Sequence, residues 1–298
     1  GGFEGTARLC TTPPAPTAHA FGKMVQFISR INDPVKGVLG IDIGSSATTV
    51  ATAQVDNYAL KVLPCGMGSA ASYLAHPGFV EQISLTARMP LSQDVIRDYL
   101  WQKSLHPDML PMTEETFAIE QAALALILRL SAREVLAQTR RDFIQAEPIL
   151  VTGSSLNNMP SPEYSLLTLL DGLQPVGVTT LILDRYNILA SLGVIARINS
   201  LLPVQILESN AFLNLGTVIS PISRARAGTH ILKVTLEDEN NNKTRIDIHQ
   251  GTLAALPLKM GESARLSIEA LGGVVIDPAH QRRTLNLKAV GGYCAIII

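Results

Sequence analysis

Three strand-like runs, "VLGIDI" (38–43), "TTVATAQV" (48–55) and "YALKVLP" (58–64), follow one another with gaps of only a few residues. A parallel crossover needs a dozen residues or more, so such neighbours can only pair as an antiparallel meander. The pattern then changes. A helical zone runs from about Ser92 to Phe143, and from there strand and helix alternate: "PILVTG", a helix over Pro162 to Leu173, "TTLILD", and a helix in "NILASLGVIARIN". Alternation of that kind means βαβ units and parallel strands. The chain is therefore read as α/β, with an antiparallel start and a parallel continuation in one sheet.

The ends of this region differ from its middle. Residues 1–19 are rich in Gly, Thr, Pro and Ala and read as a loosely packed lead-in. "FGKMVQFISRI" carries apolar residues at Phe21, Met24, Val25, Phe27 and Ile28, a helical spacing that Asn32-Asp33-Pro34 stops. Beyond about Pro203, "THILKVTLEDENNNKTRIDIHQG" reads as a hairpin around an Asn-rich turn, and short strands separated by glycines follow. The expected organisation is a lead-in (1–19), an α/β lobe (20–203) and a small all-β domain (204–298). The start without Met and the closing run "YCAIII" suggest a piece of something longer.

Composition narrows the function. The formal net charge is −1, and the best basic runs are the pairs Arg140-Arg141 and Arg282-Arg283. Nucleic-acid binding needs clustered cations to neutralise phosphates, so no nucleic-acid partner is expected. The most apolar helical stretch, "FAIEQAALALILRLSAREVLAQ", holds Glu120, Arg129, Arg133 and Glu134, too many charges for a bilayer span, and a cytoplasmic location is expected. Cys10, Cys65 and Cys294 lie far apart, and His76, His106, His230, His249 and His280 show no ligand-like spacing.

Two short motifs carry chemistry. "DIGSSATT" joins the first two strands: Asp42 ends a strand where a carboxylate can hold Mg²⁺-bound water, Gly44 lets backbone approach a phosphate, and Ser45, Ser46, Thr48 and Thr49 supply hydroxyl and amide donors. The same string also suits an ordinary hairpin whose Asp satisfies its own turn. In "ILVTGSSL" a buried strand ends in Gly153, Ser154 and Ser155, small enough for a nucleoside to pack against, although a βα turn with a Ser cap reads the same way. Asp184, ending "TTLILD", is read as the cap of the helix that follows.

Taken with "LPCGMGSAASYL", "FAIEQAALALILR" and "LDGLQPVGVTTLILDRYNILASLGVIARINSLLP", these motifs make the chain resemble the glutamate mutase-associated MutL-type family, over most of residues 18–298. The resemblance implies a ribonuclease H-like, actin-like ATPase lobe of βββαβα order with a β-rich tail, corresponding to the second of two lobes. It implies ATP and Mg²⁺ as ligands, with Asp42 as the catalytic and metal-holding residue. Gly44, Ser45, Ser46, Thr48 and Thr49 would meet phosphate, and Gly153, Ser154 and Ser155 would meet adenosine. It implies a role as chaperone or reactivating partner of a cobalamin-dependent mutase, the partner being that mutase or the missing N-terminal lobe. The distal Asp of the family's phosphate loop is absent, with Thr49 or Val50 in its place, so half of a two-lobed site and at most a weak ATPase is expected. Two alternatives stay open: a degenerate lobe kept as an interaction module, and a small-molecule kinase of the same fold.

Overall fold

The computed structural model describes residues 5, 14–32, 36–55, 57–239, 241–278 and 282–298. The Asp33-Pro34 stop, Asp56 of the second strand turn, Cys10, His280 and most of the lead-in lie outside them.

The helix α1 (Thr17–Ile31) starts four residues ahead of Phe21. The meander follows as β1 (Val38–Ile43), β2 (Thr48–Gln54) and β3 (Asn57–Leu63). A short 3₁₀ turn (Ala71–Ala75) then leads into α2 (Pro77–Thr86), α3 (Gln93–Leu105) and the long α4 (Glu114–Thr139). Thr113 caps α4 by accepting from the Thr116 amide, and its reciprocal partner is the Thr116 hydroxyl rather than a glutamate. Next come β4 (Ile149–Thr152), the single turn α5 (Ser154–Asn157), α6 (Pro162–Leu173) and β5 (Gly177–Asp184). The last helical signal divides into α7 (Leu189–Ile195) and α8 (Leu201–Leu207).

These strands pair in the order β3-β2-β1-β4-β5, antiparallel on the β2 side of β1 and parallel on the β4 side. That is the ribonuclease H-like arrangement. The alternation along β1 explains the layers, since successive side chains leave opposite faces. Leu39, Ile41 and Ile43 enter a core with α2, α3, α4 and α6. Val38 and Gly40 face α1, whose Phe21 and Val25 pack over the glycine.

The sheet does not stop at residue 203. β6 (Phe212–Ser220) lies antiparallel to β5, and the short strands β12 (Ile296–Ile297) and β9 (Ala255–Leu256) extend it to eight. "YCAIII" thus ends as a strand of the first sheet, although it closes the β-rich segment. The remaining strands, β7 (His230–Glu237), β8 (Lys243–His249), β10 (Ser263–Ala270) and β11 (Thr284–Val290), form a separate antiparallel sheet in the order β11-β10-β7-β8. One apolar core joins the sheets, with Ile219, Leu256 and Ile296 from the first and Leu232, Val234, Leu266 and Ile268 from the second. Among the described residues no helix is long and apolar enough to cross a membrane.

α7 crosses α1 at very close range. A Cβ on Gly193 would stand 1.9 Å from the Ala20 carbonyl oxygen, a backbone atom that cannot swing aside. Gly193→Ala is expected to part the two helices and cost about 3 kcal/mol, the upper range for overpacking. Chemical denaturation should show it as a lower midpoint with an unchanged slope.

Candidate functional site

The register of the parallel strands sets one row of residues across their C-terminal edge. Asp42 pairs with Thr152, Thr152 pairs with Asp184, and on the other side Asp42 faces Thr49. Two carboxylates therefore stand on one row, two strands apart, roughly 10 Å by the usual strand spacing. Asp184 is fully buried, and its oxygens accept from the amides of Tyr186 (3.2 Å) and Leu189 (2.8 Å). It serves the turn into α7, the capping role read from the sequence. Among the described residues, none donates a hydrogen bond to the Asp42 carboxylate. Burial first, and the charge of Asp184 second, push its carboxyl up to about 6. A site that resists the bare carboxylate in this way suits a cation.

The turn after β1 is tied to the loop after β3. The Met67 amide donates to the Gly44 carbonyl (3.0 Å), Ala70 donates to the Ser45 carbonyl (3.1 Å), and Ser69 donates to Ser45 Oγ (2.9 Å). "CGMGSAAS" is thus the brace that shapes the hairpin turn. Across the cleft, Gly153 has a φ of +143°, and a Cβ there would lie 2.6 Å from the Ile43 carbonyl. Only glycine permits this backbone path so close to β1. Asn187 fixes the turn from the far side: its Oδ1 accepts from the Thr152 hydroxyl (2.8 Å), the Gly153 amide (3.0 Å) and Asn157 Nδ2 (3.3 Å).

These elements enclose a cleft of about 550 Å³, a size suited to a small-molecule ligand. Asp42, Gly44, Ser45, Gly153, Ser154 and Ser155 line it together. Three other residues read as phosphate contacts sit elsewhere. Ser46 is exposed beside the turn, off the cleft wall. Thr48 is fully buried and donates to the Cys65 carbonyl (2.8 Å), while Thr49 is buried within β2. Both threonines pair at the level of the cleft, Thr48 opposite Ile43 and Thr49 opposite Asp42, but their side chains are buried in β2 and neither lines the cavity.

The cleft also has a wall that the motifs do not announce. Lys103 of α3 and Glu120 of α4, both almost fully buried, form an ion pair at 3.3 Å and line the cavity. Tyr99 donates to Glu120 Oε2 (2.5 Å), and Lys103 also donates to the Met109 carbonyl, tying the 106–112 loop to the helices. The signal for Glu120 was present in the sequence as a charge inside an apolar helical run. Lys103 and Asn187 had none, because tertiary packing alone brings them to the cleft.

A 3-2-1-4-5 sheet core with helices on both faces, and two glycine-hydroxyl turns meeting at the C-terminal edge of its parallel strands, defines this chain as an α/β lobe of the ribonuclease H-like, actin-like ATPase class. The family model described as MutL protein matches residues 1–211, and the chain belongs to that family. No curated protein matches it. Among solved structures it is similar to a chain of the PilM–PilN type IV pilus biogenesis complex (16% identity, TM-score 0.30, 63% of this chain and 52% of that one). It is also similar to the activator of 2-hydroxyisocaproyl-CoA dehydratase from Clostridium difficile with bound ADPNP (13%, TM-score 0.33, 64% and 70%). A third is an archaeal actin homologue (17%, TM-score 0.33, 61% and 55%). The chain spans about half the length of the first and third of these.

Two predictions come from this geometry. A carboxyl raised in the folded state favours folding when protonated, so the Asp42 contribution is best below about pH 4 and is lost as pH rises through about 6. Asp42→Asn should stabilise the chain at pH 7.5 by on the order of 2 kcal/mol, allowing for partial exposure, with the gain gone at pH 4 in parallel thermal melts. Removing one member of the buried pair leaves an uncompensated charge. Lys103→Met should cost about 3–5 kcal/mol in denaturant titrations, and adding Glu120→Gln should restore much of that loss.

Proposed function

We propose that this chain forms one side of a Mg²⁺–ATP site and acts, together with a second lobe, as a chaperone or reactivating partner of a cobalamin-dependent mutase. The observation that carries the nucleotide reading is the meeting of the Asp42–Ser45 turn with Gly153–Ser155 on adjacent strands of one cleft. The residues present fit the group. Asp42 is a destabilised carboxylate that a cation would relieve, and among the described residues the amides of Ser45 and Ser46 have no acceptor. Magnesium bound with ATP would supply charge neutralisation at the phosphates. Asp42 would hold the ion through its carboxylate, Gly44 and Ser45 would offer backbone to phosphate, and Gly153 to Ser155 would lie along the nucleoside.

The family membership supports the mutase part of the reading. Its physical form is a population shift: nucleotide held between lobes favours one interlobe angle, and a partner that binds that angle better is gripped or released accordingly. A second reading, a lobe that retains the fold as an interaction module, is favoured by Thr48 and Thr49 being sealed in the sheet and by Ser45 Oγ already accepting from Ser69.

Calorimetry with ATP and magnesium separates the two. The nucleotide reading expects one ATP per chain and, at a hundredfold excess over Kd, a stabilisation of about 2.7 kcal/mol. Asp42→Ala should weaken binding at least tenfold while the chain stays folded. Absence of binding even with the second lobe supplied would leave the interaction module as the better account. For the mutase, the measured outcome is faster, ATP-dependent release of damaged cofactor from the inactivated enzyme.

A further inference from the structure

The opposite end of the parallel strands holds a second cavity, of about 690 Å³, between the eight-stranded sheet and β11. It opens near Gly37, Glu147 and Val178, at the starts of β1, β4 and β5, whereas the Asp42 cleft lies at their ends. No residue lines both cavities. The two sites are distinct.

Its lining has three chemically different parts. The rim carries four exposed cations, Lys36, Arg141, Arg282 and Lys288. None of them has a carboxylate within salt-bridge distance among the described residues. Arg141 donates to the Gln145 carbonyl (3.4 Å). Two acids share the rim. Both oxygens of Glu147 are held by Thr180, one by its amide and one by its hydroxyl, each at 2.7 Å, and Lys36 is near enough to offset part of the upward push that burial gives this carboxyl. Asp277 accepts from Gln145 Nε2 (3.4 Å). Positive charge therefore predominates at the mouth. The wall is apolar, with Val178 on one sheet and Leu285 and Leu287 on the other, all half-buried. Asn214 of β6 also lines it, and among the described residues its buried Oδ1 has no hydrogen-bond partner.

We propose that this cavity is a binding site for an amphipathic organic anion. Its carboxylate, sulfonate or phosphate-ester head sits at the Arg282–Lys288 rim, and its flat apolar body lies between Val178 and the Leu285–Leu287 strand. The cations supply charge-assisted hydrogen bonds to the head, and the sheets exclude water from the body.

A probe that carries both features is 8-anilinonaphthalene-1-sulfonate, with one sulfonate and a fused apolar frame. Fluorescence titration of the full chain should give one probe per chain. Arg282→Glu with Lys288→Glu should weaken it at least tenfold, as expected for losing charged partners. Both rim residues are exposed, so unchanged melting of that double variant confirms that the fold is intact; Lys288→Gln alone serves if it melts early. Saturating ATP with magnesium, or Asp42→Asn, should leave the titration unchanged, which keeps this site independent of the nucleotide reading. The idea fails if the neutral N-phenyl-1-naphthylamine binds as tightly as the sulfonate. It fails equally if the rim variants bind the probe like the parent, or if several probes bind with no response to any substitution.

Discussion

The pairing of β1 on both sides is the constraint on which the rest of the structure depends. Val38–Ile43 is held antiparallel by β2 and parallel by β4, with no edge left free. A slip of one residue against either neighbour would turn Leu39, Ile41 and Ile43 out of their core and bring Gly40 and Asp42 into it. The hydrophobic pattern therefore locks the register, and the register in turn sets Asp42, Thr152 and Asp184 on one row. The functional end of the lobe is a by-product of how its core is kept dry.

That end is built from groups the fold does not hold comfortably. Asp42 sits in a half-buried position beside a second carboxylate, and the protein stabilises its charged form poorly. Asp184, on the same row, is fully served by two amides. The difference separates an acid that the fold satisfies from one that it does not. Lys103 and Glu120 make a further contrast, since their charges are matched to each other, to Tyr99 and to the Met109 carbonyl, and they shape the cleft wall from below.

Much of this was legible from residue order. The short gaps between the first three strands left no alternative to a meander, and strand-helix alternation implied the parallel half, because both inferences rest on local chain geometry. The Gly153 turn was legible as a site of close approach, though its reason, the Ile43 carbonyl, belongs to another strand. Less visible was the reach of the first sheet beyond residue 203. "FLNLGTVIS" carries no turn signal that distinguishes joining β5 from joining the later hairpins, and "AIII" pairs with β6 across some eighty residues. Thr48 and Thr49 show the limit of reading a motif as a string. Adjacent letters share a loop on paper, but pairing opposite Ile43 and Asp42 makes both threonines part of β2, where their side chains are buried.

By itself the sequence determined the class of fold, the hairpin at Asp42, the glycine turn at Gly153 and the family to which the chain belongs, because periodicity, turn chemistry and family likeness are all written along the chain. Only the tertiary structure decided which of those residues share a cleft and that Lys103, Glu120 and Asn187 join them. It alone placed a cation-rimmed cavity between the two sheets. These are outcomes of packing between segments far apart in sequence, where register and helix crossing, not local preference, determine what meets.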